Sequence, residues 1–298
     1  MKKVSLLIIG FLLLTLGVNN INAQSLEERL QKFGTDYAKG YMGPFSDAFG
    51  AALNTGWYNT ANVDDGVSIF AGIKLMYMPI PDESKMFKIA SPYPPNAIDE
   101  VPTAFGENVQ KPISNDPSSG NYPAGLGLDF VPMAMPHISI GNIYGTRAML
   151  RYFPATKIGD YGDFEMFGFG LQHSVNRHLP EGTLPVDVAA MFAFQSFKVG
   201  SLVDASAFTF GAQASKSFAI VDFYAGLAYE TSTMTIAYDA QLDPNNPSNK
   251  THIGFDMPGK NNFRLTGGFS LSLFILKIHA DYSLASQPVA NVGIGLGW

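Results

Sequence analysis

Long segments of the chain alternate strictly between apolar residues and small or polar residues. At the C-terminal end, Val292, Ile294, Leu296 and Trp298 fall on one parity, and glycine or asparagine occupies the other. A period of two residues indicates a β-strand with one apolar face, because successive side chains of a strand point to opposite sides. The same alternation recurs at 67–77, 186–195, 208–215, 263–273 and 276–284. The pattern therefore predicts an all-β chain.

The length of these segments favours a membrane barrel. A tilted strand needs ~9–11 residues to cross a bilayer, whereas strands of soluble proteins usually have ~5–6. The non-apolar face carries mainly Gly, Ser, Thr and Ala, with few charges. We therefore predict a transmembrane antiparallel β-barrel of about 12–14 strands, counted at ~16–20 residues per strand and connection. A secreted β-sandwich is the alternative fold.

Composition excludes several classes of protein. The chain has no cysteine, which excludes disulfides, thiolate metal sites and a cysteine nucleophile. Its net charge is −6 and it has no basic tract, so we expect no nucleic-acid partner. With 13% aromatic and only 15% charged residues, it does not have the composition of a disordered protein.

The first residues have the form of a secretory signal. Lys2 and Lys3 precede an apolar run at 4–17, and Ala23 supplies a small residue for cleavage. The run is shorter than the ~20 residues of a membrane-spanning helix, which is the alternative interpretation. We predict a signal peptide at 1–23 and therefore an exported protein.

Residues 24–53 precede the first alternating segment, and their pattern is helical. Ser25 and Glu28 form a capping-box pattern. One helical stripe then carries Leu26, Leu30, Phe33, Tyr37 and Tyr41. We predict that this segment plugs the lumen or lies at the periplasmic side, with a loosely attached tail as the alternative. The barrel is assigned to residues 54–298.

Several connections are predicted from breaks in the alternation. Parity changes at 274–275 and at 216–217, which indicates short turns. If the last strand ends in the periplasm, the polar stretch 240–260 is an outer loop. Residues 79–136 have many prolines and little periodicity, with short strands predicted at 86–90 and 124–131. A loop this long is typical of a lid or a constriction, but its role stays open.

Charged residues on the non-apolar parity are predicted to point into the lumen. They either pair with one another to seal the barrel or line a pathway for a solute. These candidates are Lys74, Arg147, Arg151, Asp187, Asp222, Glu230 and Arg264.

The sequence contains little that indicates chemistry. None of its five histidines has metal-like spacing to a second ligand, so we expect no metal site and no cofactor. His173 and Ser174 could be compared with the Ser and His of outer-membrane hydrolases. Parity instead places His173 on the apolar face, at the membrane boundary. We therefore predict no catalytic residues and no enzymatic activity.

A resemblance to a known family rests on six short stretches. Residues 141–154, 167–174, 179–180, 184–187, 262–268 and 281–283 resemble an uncharacterised family of outer-membrane β-barrel proteins from Bacteroidota-type bacteria. In plan, the chain is more distantly similar to the long-chain fatty-acid transport barrels. These resemblances imply a bacterial outer-membrane location, an N-terminal plug and a hydrophobic small-molecule ligand.

The functional expectation is passive uptake of a hydrophobic or small amphipathic solute through the outer membrane. The alternative is a sealed structural or scaffold barrel, or a surface-interaction protein, without transport. The expected partners are outer-membrane lipid and the barrel-assembly machinery, which would recognise the last strand ending at Trp298. The solute, the openness of the lumen and the oligomeric state stay open.

Overall fold

The computed structural model describes residue 30 and residues 33–63, 66–90, 98–116, 120–157, 163–240 and 250–298. The predicted signal peptide at 1–23 and the plug candidate Leu26 lie outside these residues.

The described residues form one helix of 19 residues and fifteen strands. The helix α1 spans Thr35–Leu53. The strands are β1 (Ser68–Pro79), β2 (Met86–Ala90), β3 (Ile98–Pro102), β4 (Lys111–Pro112), β5 (Asn121–Tyr122), β6 (Phe130–Ile143), β7 (Thr146–Lys157), β8 (Asp163–Ser174), β9 (Asp187–Val199), β10 (Val203–Phe218), β11 (Val221–Ala240), β12 (Thr251–Pro258), β13 (Phe263–Leu273), β14 (Leu276–Leu284) and β15 (Val289–Gly297). Two short 3-10 helices lie at Asp82–Ser84 and Asn176–His178.

Ten of these strands close into an antiparallel barrel. Their order around the ring is β1, β6 to β11, β13, β14 and β15, and β15 pairs with β1 to close it. β12 lies outside the ring. It pairs with residues 233–240 of β11, whereas β13 pairs with residues 221–229 of the same strand. The predicted barrel with a short N-terminal helix is confirmed.

The ring has fewer strands than the 12–14 estimated from length. β10 and β11 have 16 and 20 residues, which is longer than the estimate assumed. Residues 80–129 contribute no strand to the ring within the described part of the chain. The predicted outer loop at 240–260 also contains β12, a strand.

We call one end of the barrel the turn end, because three of its four hairpin connections are two-residue turns, and we call the opposite end the loop end. At the turn end, Tyr144, Ala219 and Phe274 have positive φ angles of 52°, 54° and 57°. Such angles occur in the tight hairpin turns that match strand twist. The turn predicted at 274–275 is present, but the one predicted at 216–217 lies at 219–220, because β10 and β11 stay paired up to Phe218 and Val221.

The loop end carries the long segment 80–129. Its predicted strand at 86–90 is β2, which pairs with β3 outside the ring. The strand predicted at 124–131 begins only at Phe130, where the barrel strand β6 starts. The described residues between 80 and 129 therefore lie over the loop end and do not form part of the wall.

Strand parity separates the two faces of the wall. Large apolar side chains that point outward are more than a third exposed, among them Phe192, Phe194, Phe208, Phe210, Leu227, Leu265 and Ile294. The alternate positions are buried inside the barrel. No helix among the described residues is both long enough and apolar enough to cross a membrane.

Candidate functional site

The candidate site is the lumen and the chain segment that fills it. We call residues 33–63 the plug. At the loop end, the Tyr41 hydroxyl donates to the carbonyl of Ala124 over 2.8 Å. At the turn end, Asn62 Nδ2 donates to Asp187 Oδ2 over 3.3 Å. The plug therefore runs through the barrel from one end to the other, and β1 starts where the plug leaves the lumen.

An apolar layer surrounds α1 in the half of the lumen nearest the loop end. Wall residues from eight strands of the ring pack into one buried cluster with Tyr37, Tyr41 and Met42 of the helix. This layer includes the wall residues Met76, Met78, Met135, Met166, Phe197, Met234 and Ile236. Thioether side chains are flexible and polarisable, so a methionine-rich surface can repack around another occupant.

The described plug candidates lie in this layer or at its upper edge. Leu30 and Tyr41 are fully buried and Tyr37 is 3% exposed. Phe33 is half-buried and stacks on Tyr37 at a ring-centroid distance of 4.2 Å. Phe33 also stacks on Tyr122 of β5 with ring centroids 5.9 Å apart, so the start of the plug contacts the segment over the loop end.

Tyr122 of β5 completes that contact. Its ring stacks on Tyr37 with centroids 5.7 Å apart, and its hydroxyl donates to Asp99 Oδ2 over 2.8 Å. Burial, followed by the hydrogen bond to Asp99, raises the pKa of Tyr122 to about 12. The phenol therefore stays protonated and keeps donating to Asp99 at physiological pH.

Arg151 of β7 holds the plug where α1 ends. Its Nη2 donates to the carbonyl of Thr55 over 2.7 Å, and its Nη1 lies 3.4 Å from the carbonyl of Leu53. The guanidinium also lies 4.0 Å from the ring centroid of Trp57. Gln195 Oε1 accepts a further bond from Nη1 over 3.0 Å. Arg151 is fully buried, so these groups replace the water that its charge would otherwise bind.

Arg264 of β13 binds the C-terminal end of α1 from another side of the lumen. Its Nη2 donates to the carbonyl of Ala51 over 2.9 Å, and its Nη1 donates to the hydroxyl of Thr55 over 2.6 Å. Glu230 accepts two bonds from the same guanidinium, over 2.7 and 3.0 Å. The last carbonyls of a helix lack partners within it and carry partial negative charge, so two arginines here satisfy and stabilise the helix end.

The remaining predicted lumen charges either lie nearer the turn end or bond to another strand of the wall. Arg147 Nη2 donates to the carbonyl of Asn62 over 2.9 Å, and Asp187 accepts from the Asn62 side chain. Asp222 lies on the inner face of β11, near the turn end. Lys74 Nζ lies 2.6 Å from His279 Nε2 on the wall. Arg147, Arg151, Asp187 and Arg264 thus contact the plug, Glu230 supports one of these contacts, and Lys74 bonds within the wall.

The sequence did not predict that residues 54–63, which follow α1, belong to the plug. Residues 54–63 have no period of two or 3.6, so they were assigned to the barrel with the rest of the chain. Trp57 is 2% exposed inside the lumen, and Gln172 Nε2 donates to the carbonyl of Thr60 over 2.7 Å. The one available signal was the pair of glycines Gly168 and Gly170, where an added Cβ would lie 3.0 and 3.1 Å from Trp57.

Little space is left between plug and wall at the level of the arginines. A void of about 10 Å³ lies beside Thr55, Tyr58 and Arg264. A wider cavity of about 560 Å³ opens at the turn end, between Val63 and the connection 176–184. The plug therefore blocks the lumen at the level of Arg151 and Arg264, and below it the lumen widens into an open mouth.

Comparison with known families identifies the chain. A model described as a family of unknown function (DUF6588) matches residues 1–298. The chain belongs to DUF6588. The predicted membership of an uncharacterised family is confirmed, whereas the origin of this DUF6588 protein in a Bacteroidota-type bacterium stays a prediction. No curated protein matches the chain.

Two solved structures are weakly similar to this DUF6588 protein. One is described as "Asymmetric conductivity of engineered proteins"; it has 10% sequence identity and a TM-score of 0.21, and the match covers 78% of this chain and all of the other. The second is the toluene transporter TbuX of Ralstonia pickettii, with 11% identity, a TM-score of 0.21, and coverage of 90% of this chain and 98% of the other. At these scores the two matches carry no argument about function.

Proposed function

We propose that this DUF6588 protein is a bacterial outer-membrane barrel for passive uptake of a hydrophobic or small amphipathic solute, gated by its plug. The observation that carries the proposal is how the plug is held. Wall side chains bind the plug's backbone through Arg151, Arg264 and Arg147, and no strand of the wall pairs with it among the described residues. The plug can therefore leave while the ring of strands stays closed.

The outer surface of the barrel supports a membrane location. Its outward-facing apolar side chains stay solvent-exposed in the isolated chain. A large exposed apolar surface is unfavourable in water. In outer-membrane barrels, such an apolar band around the wall is in contact with the lipid bilayer. Short turns face the periplasm in such barrels, so the turn end would lie on that side. The proposed partners are outer-membrane lipid and the assembly machinery that would recognise the strand ending at Trp298.

The apolar layer supports the class of solute. When α1 leaves, the side chains of Met76, Met135 and Met234 would line the vacated space. Such a surface favours an apolar or amphipathic molecule over an ion or a sugar. The proposal includes no reaction and no cofactor. His173 and Ser174 are neighbours on one strand, so their side chains point to opposite faces of the wall and do not form a catalytic pair.

A sealed structural barrel is the second candidate. The bidentate pair of Arg264 and Glu230 is 4% and 0% exposed, and the void beside it holds at most about one water molecule. Interior charges that satisfy one another are expected in a barrel that never opens. This candidate predicts that weakening the plug contacts destabilises the protein without creating a path.

Solute flux into liposomes separates the two candidates. Removing the guanidinium in Arg151→Gln leaves the carbonyls of Leu53 and Thr55 without their donor, so we expect the plug to open more often. Uptake of a small amphipathic solute that does not cross protein-free liposomes should rise at least about tenfold, since a lost hydrogen bond to a charged group is worth roughly 1.5–3 kcal/mol.

Lys198→Gln is the matched control. This lysine lies on β9 in a half-exposed ion pair with Asp204, away from the plug and the mouth, and the substitution should leave flux unchanged. Absence of flux in the native chain and in folded Arg151→Gln protein would contradict the transport proposal and favour the sealed barrel.

A further inference from the structure

Two histidines meet at the rim of the turn end, away from the plug. His173 lies near the end of β8, and His178 ends the 3-10 helix Asn176–His178. Their Nε2 atoms lie 2.8 Å apart. His178 is exposed and His173 is partly exposed, so both nitrogens are within reach of solvent.

We propose that His173 and His178 together bind one divalent transition-metal ion of the Cu²⁺ or Ni²⁺ type. Imidazole nitrogens bind such ions at about 2.0–2.1 Å, so two ligands at a right angle lie about 2.9 Å apart and two at a tetrahedral angle about 3.4 Å. The observed 2.8 Å matches the right angle. Tetragonal sites with nitrogen and oxygen ligands are typical of Cu²⁺ and Ni²⁺.

The ring of His173 is oriented for this role. Its Nδ1 lies 2.8 Å from the hydroxyl oxygen of Thr146 on β7. When Nδ1–H donates to that oxygen, the lone pair of Nε2 is free to bind a metal. Hydrogen bonds of this kind on the second ring nitrogen fix the tautomer and the orientation of metal-binding histidines.

The backbone that carries His178 is also fixed in place. Asn176 Nδ2 donates to the carbonyl of Val186 over 2.9 Å, and the backbone N–H of Val188 donates to Asn176 Oδ1 over 2.7 Å. The backbone N–H of His178 then donates to the carbonyl of Val175 over 3.1 Å. The two ligands are thus anchored to adjacent strands, β8 and β9, so a metal would bind without ordering a loop.

Metal binding moves one proton between the two ring nitrogens of His178 and needs no other reactant. Without metal, Nε2–H of His178 donates to Nε2 of His173. With metal, that proton moves through solvent to Nδ1 of His178, and both Nε2 lone pairs bind the ion. A neutral pair therefore releases no net proton. No group of three or more histidine, aspartate or glutamate side chains forms a metal site within the described ranges, so water would complete the coordination.

Sequence reasoning did not single out this pair. The two histidines are five residues apart, which matches neither the period of a strand nor that of a helix. They meet because the chain leaves β8 and turns back in the short 3-10 helix. The proposed site is independent of solute uptake, since the ring of His173 bonds to His178 and Thr146, neither of which belongs to the plug.

Copper binding to the full-length protein in detergent tests the proposal. Titration calorimetry should show one Cu²⁺ site per chain, and electron paramagnetic resonance should show two equatorial nitrogen ligands. His178→Gln should weaken Cu²⁺ binding at least tenfold and leave one nitrogen. Thr146→Val should weaken it by about tenfold through the loss of ring orientation.

His252→Gln is the matched control, because His252 is exposed at the loop end and is paired with Asp239. It should leave the Cu²⁺ affinity and spectrum unchanged. The proposal is overturned if His178→Gln binds Cu²⁺ as tightly as the native chain, if the native spectrum shows a single nitrogen, or if His252→Gln causes the same loss.

Discussion

At the scale of single residues, two arginines connect the wall to the plug. Arg151 has carbonyl, amide and aromatic partners, whereas Arg264 has the carboxylate of Glu230 and the carbonyl of Ala51. The sequence could place both on the inner parity, because their outward neighbours are apolar. It could not assign their partners, since the carbonyls they bind belong to a segment without periodicity. Hydrogen bonds to backbone carbonyls leave no pattern in side-chain identity.

Glu230→Gln tests the buried pair. The substitution removes the counter-charge of Arg264 and leaves the guanidinium buried, so we expect the free energy of unfolding to fall by roughly 3–5 kcal/mol. Denaturant unfolding in detergent, followed by tryptophan fluorescence, measures the change.

Asp204→Asn is the matched comparison. Asp204 and Lys198 form an ion pair 3.1 Å long, with half of each side chain exposed, so its loss should cost at most about 1 kcal/mol. Equal costs for the two substitutions would show that burial of Arg264 and Glu230 does not matter.

At the scale of elements, the helix and the wall strands follow from pattern, and the connections do not. Tyr37 and Tyr41 of the predicted stripe lie in α1 and are buried, because an apolar stripe at helical spacing needs a surface to cover it. Leu30 of the same stripe precedes the start of the helix at Thr35. The turn at 219–220 was misplaced by three residues, because Lys216 and Ser217 resemble turn residues and only pairing keeps them in the strand. Residues 124–131 were assigned to a strand too early, since the ladder with β1 begins at Phe130.

Tyr122 should make the attachment of α1 to the loop end depend on pH. Its pKa is raised to about 12 in the folded chain, above the usual value of 10. The stabilisation from the protonated phenol is therefore fully present below pH 10 and is lost as the pH rises through about 12. Hydrogen exchange of α1 amides, measured relative to the intrinsic rate, should show the helix opening more often across this window.

Tyr122→Phe keeps the ring stack and removes the ionisable hydroxyl, so this part of the pH dependence should disappear. An unchanged pH profile in the variant would assign the effect to another group.

At the scale of the whole molecule, alternation over long segments was enough to predict a barrel. The alternation did not predict the number of strands. Only strand pairing shows which residues form the wall and which form the plug or the segment at the loop end. Residues 54–63 and β12 both occupy chain that the estimate had counted as wall. The outer face of the ring carries large apolar side chains, and the predicted lumen charges, such as Arg151, Glu230 and Arg264, lie inside, as their parity predicts.

A charge on the outer face tests whether lipid covers the band. Phe210 is 56% exposed in the middle of β10, so Phe210→Arg should destabilise the folded barrel in a bilayer by about 2–4 kcal/mol. Refolding into liposomes at increasing urea measures this. Ile98→Arg changes an even more exposed side chain on β3, outside the ring, and should have little effect. A soluble protein would tolerate both substitutions equally.

A reversible lock on the plug tests the central claim most directly. The hydroxyls of Thr60 in the plug and Ser215 in the wall lie 3.1 Å apart, and the native chain has no cysteine. In Thr60→Cys/Ser215→Cys protein, flux of a small amphipathic solute that does not cross protein-free liposomes should be lost on oxidation and return on reduction. The single variants should conduct in both states. Equal flux with the disulfide closed and open would contradict the account, because the solute would then cross without moving the plug.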